Sequence, residues 1–197
     1  NVRVIVEGAN SFISPEARLE LQKQGVVILR DASANKCGVI SSSYEILANL
    51  LMTQAEFLEH KEAYVRDVLS ILEKRAEEEA ELIFERHRRE EAGRSQPYTE
   101  ISAAISSEIN ALYSRLFDFF QERPELADQP LFRKVMLNHL PAMIRKEQRF
   151  KRRLKQLPPK IKYAVLAAEI ATMVVYHGGW ELDFESRLRQ YLKAYLG

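Results

Sequence analysis

The spacing of apolar residues changes period at residue 53, and one kind of secondary structure cannot accommodate both patterns. Upstream, residues 2–6 (Val-Arg-Val-Ile-Val) and 26–29 (Val-Val-Ile-Leu) are short β-branched runs of the kind that fill buried parallel strands. Between them, Ser14-Pro15-Glu16-Ala17 reads as a helix start, with serine as N-cap, proline at the first helical position and an acid facing the positive end of the dipole. Gly25 closes that helix. Strand, helix and strand within residues 2–29 make a parallel βαβ unit. Residues 41–45, Ser-Ser-Ser-Tyr-Glu, are expected to open another helix, running to about Met52.

Downstream, Thr53-Gln54-Ala55-Glu56 has the spacing of a capping box, so a new helix is expected where the previous one stops. Leu58, Val65, Leu69, Leu72, Ala76, Ala80 and Ile83 recur at helical spacing and predict one buried stripe reaching toward Arg89. A second stripe, Ile101, Ile105, Ile109, Leu112, Leu116 and Phe119, follows the break at residues 93–97. Further breaks at residues 123–130, 157–159 and 177–179 leave about five helices, and the short connections predict antiparallel neighbours. The expected domains are residues 1–52 and 53–197.

Composition narrows the function. The 197 residues are 46% hydrophobic and 29% charged with a net charge of +1, so no global field draws the chain to nucleic acid or to an anionic membrane. The longest apolar stretch, residues 163–176, is interrupted by Glu169 and is too short to span a bilayer. No leader is visible, and a cytoplasmic protein without membrane partners is expected. The single cysteine, Cys37, excludes an internal disulfide. The four histidines, at 60, 87, 139 and 177, have no metal-site spacing, so no metal is expected.

In open parallel α/β sheets, ligands lie beyond the carboxyl ends of the strands, which directs attention to residues 7–10 and 31–35. Both segments end in asparagine, and a carboxamide complements another carboxamide such as that of nicotinamide. Gly8 and Gly38 allow close backbone approach, and a helix start at residues 41–43 would offer free N–H groups to a carboxylate. Taken alone, these are also the residues of ordinary βα turns.

The run VEGANSFISPEARLELQKQGVVILRDASANKCGVISSSYEIL resembles the last strands of the coenzyme domain of the glutamate dehydrogenases in the Glu/Leu/Phe/Val dehydrogenase family. That family has a glycine-and-asparagine turn, an "EA" helix, a strand, and an Asp-x-x-x-Asn loop that runs into Gly-Gly-Val and a Ser-Tyr-Glu helix start. "DASANK" followed by a serine triplet is most similar to the large NAD-specific class, and LPPKIKYAVLAAEIATMVVYHGG resembles its helical tail. The fold implied is mainly α: a small parallel βαβ remnant of a Rossmann-type coenzyme domain, then an antiparallel multi-helix domain.

The resemblance implies a carboxyl-terminal piece of an NAD-dependent enzyme that deaminates L-glutamate to 2-oxoglutarate and ammonia, generally as a homo-oligomer. Gly8, Ala9, Asn10 and Asn35 would meet the nicotinamide side of NAD, Val39 the amino-acid side chain and Ser42 its distal carboxylate. No Gly-x-Gly-x-x-Gly turn is present, and nothing resembles the family's catalytic lysine and aspartate, so no catalytic residue is assigned and the remainder of the parent enzyme is an expected partner. Ser42 and Glu45 also have capping-box spacing, a competing role for the hydroxyl. Cys37 departs from the family by standing at the first glycine of Gly-Gly-Val; it is costly there if φ is positive, and otherwise reads as a buried, inert thiol.

Residues 145–162 carry nine Lys or Arg against one acid, which invites an alternative, a non-catalytic helical interaction or nucleic-acid-binding module. Phe150 is the sole aromatic in the run, where a strand-binding platform needs several, and packing beside the acidic residues 77–81 is the expected explanation.

Overall fold

The computed structural model describes residues 2–89, 96–178 and 186–196. It is mainly helical with one small sheet. Strand β1 (Val4–Val6) pairs in parallel with β2 (Val27–Leu29) in the register Val4↔Val27, Ile5↔Ile28, Val6↔Leu29. Helix α1 (Pro15–Lys23) connects them, its N-cap Ser14 accepting the Ala17 N–H and Gly25 leaving it at φ +82. A four-residue helix α2 (Asp31–Ala34) follows β2, then α3 (Lys36–Leu51), α4 (Gln54–Arg89) and α5 (Tyr98–Glu122). The remaining helices are α6 (Pro130–His139), α7 (Ala142–Lys146), α8 (Gln148–Arg153), α9 (Pro159–His177) and α10 (Ser186–Leu196), with 3-10 turns at Pro124–Asp128 and Leu154–Gln156. Most of the break expected at residues 93–97 lies outside the described residues.

The chain divides into two compact units, Asn1–Ile46 with Val68–Ser107, and Leu47–Asp67 with Glu108–Gly197. In the first, Ile28, Tyr44, Ile83, Ile101 and Ile105 form the core. Burial is one-sided in the sheet: Ile28 is fully buried, whereas Val4 and Val6 are 55% and 59% exposed. The expectation of a buried first strand is therefore corrected. With a hydrogen-bonded neighbour on one side only, β1 leaves its other edge and most of its side-chain surface uncovered.

The stripe on α4 is also corrected. Of the expected stripe Ile83 is buried, but Leu58, Val65 and Leu69 are exposed, while Tyr64, Val68 and Leu82, outside the stripe, are buried. Positions 64 and 68 sit about 100° around the helix from 65 and 69, so two adjacent apolar lines competed and the one carrying the aromatic ring went inward. On α5 the predicted stripe holds, with Ile101, Ile105, Leu112, Leu116 and Phe119 buried.

The second unit is built on α9, which is buried around most of its circumference by Val165, Leu166, Ala167, Ile170, Ala171 and Val174. Phe120 and Phe132 meet edge to face at 5.1 Å, a geometry that favours the positive ring edge against the negative ring face. Gly178, at φ +82, ends α9. Among the described residues, no helix is long and apolar enough to cross a membrane.

The capping box at α4 forms in both directions, Thr53 N–H donating to Glu56 Oε2 at 2.8 Å and Glu56 N–H to Thr53 Oγ1 at 3.3 Å. Arg153 grips the same carboxylate with two nitrogens, at 2.6 and 2.9 Å, and donates to the Leu51 carbonyl at 2.8 Å. Together the Arg153 guanidinium and the Thr53 N–H hold the Glu56 carboxyl down to about 2. A depressed folded-state value stabilises the fold above the ordinary glutamate range and loses that contribution as pH falls toward the folded value. The melting temperature of the wild type is expected to drop between about pH 4.5 and pH 2 by more than that of Glu56→Gln, which has no charge to lose. Parallel melting curves for the two proteins across that window would remove Glu56 from the acid transition.

Candidate functional site

Because β1 and β2 are parallel, the loops that leave their carboxyl ends lie side by side. The ladder extends one bond past β1, with Glu7 N–H donating to Leu29 O at 2.9 Å, and it delivers the Glu7 side chain beneath both loops. There the carboxylate, 1% exposed, accepts Arg18 Nη2 at 3.0 and 3.1 Å. Glu7 Oε2 also accepts the Asp31 N–H at 3.3 Å, and Arg18 Nη2 donates to Ile13 O at 3.2 Å. Asp31 returns the bond: its Oδ2 accepts the Ser11 N–H at 2.8 Å, and its Oδ1 the Ala32 N–H at 2.8 Å. The Ser11 N–H is the main cause holding the Asp31 carboxyl below its ordinary range, against the opposing effect of burial. Ser11 has φ 52, alone among the described non-glycine residues in being positive, and the bond to Asp31 secures that conformation.

Above this buried network the two predicted asparagines meet. Asn35 Nδ2 donates to Asn10 Oδ1 and, at 3.3 Å, to Gly8 O; Gly8 and Asn10 are exposed and Asn35 is half-buried. Gly8 has open space where a Cβ would stand, so nothing within this chain requires its smallness. Ala9 is exposed between them.

Asn35 closes α2, and α3 begins at once with Lys36. Residues 41–43 therefore open no helix. They lie inside α3, where Ser41, Ser42 and Ser43 donate to the carbonyls of Gly38, Val39 and Ile40 at 2.7–2.8 Å. Their backbone N–H groups belong to the helix, so the expected carboxylate receptor at a free helix end is absent, and the capping role of Ser42 is excluded. The continuous helix instead sets Val39 and Ser42 three residues apart on one exposed face, one turn and more beyond the half-buried Asn35. Val39 is 75% exposed, a high value for a branched aliphatic residue.

Cys37 lies in the first turn of α3 without positive φ, so its place in the family's glycine position carries no backbone strain. It is half-buried, its thiol donates to Leu72 O at 3.5 Å, and burial, then Glu79, pushes its pKa up. An inert packing thiol is the result. Lys36 beside it pairs with Glu79, Ser33 Oγ bonds with Ser102 Oγ, and Thr99 Oγ1 donates to Gln22 at 2.7 Å. These bonds fix α1, α2 and α3 to the helices behind them.

Of the residues that join the two loops, Asn10 and Asn35 were singled out from the sequence, whereas Glu7 and Arg18 were not. The available signal was a glutamate directly after an apolar strand with an arginine on the following helix.

The amino-terminal part of the chain, residues 1–93, matches the family model described as Glutamate/Leucine/Phenylalanine/Valine dehydrogenase. Over 187 residues the chain is 33% identical to "Glutamate dehydrogenase 2" of Dictyostelium discoideum, covering 89% of this chain and 17% of that protein. It is 31% identical over 185 residues to "Probable NAD-specific glutamate dehydrogenase" of Schizosaccharomyces pombe, covering 88% and 16%. A third relative, "NAD-specific glutamate dehydrogenase" of Neurospora crassa, is 31% identical over 188 residues, covering 89% and 17%. The chain thus spans 16–17% of the length of these relatives. No solved structure matches.

Breaking a buried ion pair by removing one partner leaves an uncompensated charge and costs about 3–5 kcal/mol. Arg18→Met is accordingly expected to lower unfolding free energy by that amount. The double variant Glu7→Gln/Arg18→Met should recover part of the loss, because the glutamine still accepts the Asp31 N–H. Denaturant titrations in which the double variant is less stable than Arg18→Met alone would contradict this account.

Proposed function

We propose that the chain, whose residues 1–93 match the Glutamate/Leucine/Phenylalanine/Valine dehydrogenase model and which is 31–33% identical to glutamate dehydrogenases over most of its length, forms the nicotinamide-side wall of the active site of such an enzyme. In this reading it is a carboxyl-terminal piece: residues 1–52 close a Rossmann-type coenzyme domain, and residues 53–197 form an antiparallel helical domain. The observation that carries the proposal is the pairing of the Asn10 and Asn35 carboxamides at the carboxyl ends of two parallel strands, with Val39 and Ser42 exposed on the helix that follows.

The donor set fits a nicotinamide. Asn10 keeps its Nδ2 donors and Asn35 its Oδ1 acceptor beyond the bonds that join the two loops, and Val39 and Ser42 follow on α3 as an apolar and a hydroxyl group. Gly8 and Ala9 shape the backbone beside the ring, and Gly8 leaves room for it. Val39 packs against the methylenes of glutamate, and Ser42 Oγ turns from the Val39 carbonyl to donate to the distal carboxylate. NAD, when bound, supplies the hydride acceptor. L-Glutamate, NAD and water then give 2-oxoglutarate, ammonium, NADH and a proton, through an imine of the substrate that water hydrolyses. The chain's own contribution is orientation, since the proton-transferring groups and the pyrophosphate grip belong to other parts of the parent enzyme. The open β1 edge and the exposure of Val39 support such neighbours. The reading also includes a cytoplasmic homo-oligomer.

Ser42 gives the sharpest test, because no capping role competes with substrate binding. A hydrogen bond to a charged group contributes about 1.5–3 kcal/mol, so in the full-length polypeptide Ser42→Ala is expected to lower kcat/KM for glutamate about 10- to 150-fold. The KM for NAD and the melting temperature should stay nearly unchanged. Turnover within about twofold of wild type would remove Ser42 from the substrate site. The 197-residue chain alone is expected to give no glutamate-dependent NADH formation, and activity that survives repurification would overturn the division of labour proposed above.

A further inference from the structure

In the second unit a cavity of about 320 Å³ is lined from α6, α8, α9 and the two 3-10 turns. Its charged lining is Arg133, Lys151, Arg152, Lys155 and Lys162 against Asp128, over an apolar floor that includes Met136 and Leu154. Lys162 is buried, and its Nζ lies 3.1 and 3.4 Å from the two Asp128 oxygens. Among the described residues, none of the other four cations has a carboxylate partner. Five positive charges against one negative therefore leave four uncompensated within one concavity.

The rest of the basic run behaves differently. Arg149 and Arg153 turn to Glu56 and stack on the Phe150 ring, so their partners are not the acidic residues 77–81 expected from the sequence. Helix α8 and the turn after it thus send two arginines to a carboxylate and Lys151, Arg152 and Lys155 to the cavity. Like charges spread over a convex surface are solvated individually; converging on a concave, apolar-floored space they repel one another and focus a positive potential. The volume falls at the lower end of the range for small-molecule sites, roughly 300–1,000 Å³.

We propose that this cavity binds a small multivalent oxyanion, of the phosphate-ester or polycarboxylate class. Lys162, held in place by Asp128, is a preset point charge at the floor. Arg133 and Arg152 bring planar forks suited to bidentate recognition of oxyanions. The site shares no residue with the Asn10–Asn35 face, and the proposal stands or falls apart from the dehydrogenase reading.

The test is isothermal titration of the full-length polypeptide, in an Asn35→Ala background, with inorganic pyrophosphate and separately with citrate. Saturable binding of at least one probe is expected, weaker at higher salt. Arg152→Gln with Lys155→Gln should weaken it about tenfold or more, since both residues are exposed and two charge-assisted bonds are lost. Lys160→Gln, exposed and outside the cavity, should not. Binding of pyrophosphate alone assigns a phosphate ester, and of citrate alone a polycarboxylate. No saturation by either probe at about 10 mM, or equal weakening by Lys160→Gln, overturns the proposal. So does binding of an oligonucleotide, but of neither probe, that the cavity variant abolishes.

Discussion

Glu7 is the point on which the candidate site rests. Its carboxylate has left water almost entirely, which is tolerable only because Arg18 and the Asp31 N–H occupy it. Each bond fastens a different piece of chain: α1 through Arg18, the second loop through Asp31, and, by way of Asp31 and Ser11, the first loop again. The closed circuit explains how two short strands with little buried surface present two asparagines side by side. The surface carboxamides are positioned by charges they never touch.

Local signals were legible where one interaction decides the outcome. The Ser14 cap, the Thr53–Glu56 box and the stop at Gly178 are each fixed by one or two hydrogen bonds or by a single φ, and the residues announce them. The stripe of α5 was legible because its apolar residues occupy one line. On α4 two adjacent lines were apolar, and only packing against the core could choose between them. The serines at 41–43 misled for a related reason: a hydroxyl caps a free N–H or bonds back to a carbonyl equally well, and which it does depends on where the helix began, at Lys36. Asn10 and Asn35 were visible as a pair in chemistry, but the buried charges that join them are distributed along the chain at positions 7, 18 and 31.

Charge in the second unit follows two rules at once. Where an acid is available, as at Glu56, the arginine is neutralised and becomes part of the frame. Where none is, lysine and arginine converge on open space. A nearly neutral total conceals this separation, which is why net charge alone excluded less than it seemed to exclude.

The unbroken winding of α3 from Lys36 has a consequence for how this segment tolerates change. Each residue of a helix advances the chain by about 1.5 Å and turns it by about 100°. One residue inserted or removed between Val39 and Ser42 would swing the hydroxyl away from the face that carries Val39 and bring a buried neighbour such as Tyr44 out toward water. The stretch can accept many exchanges of side chain, but its length is fixed as strictly as the spacing of teeth on a gear.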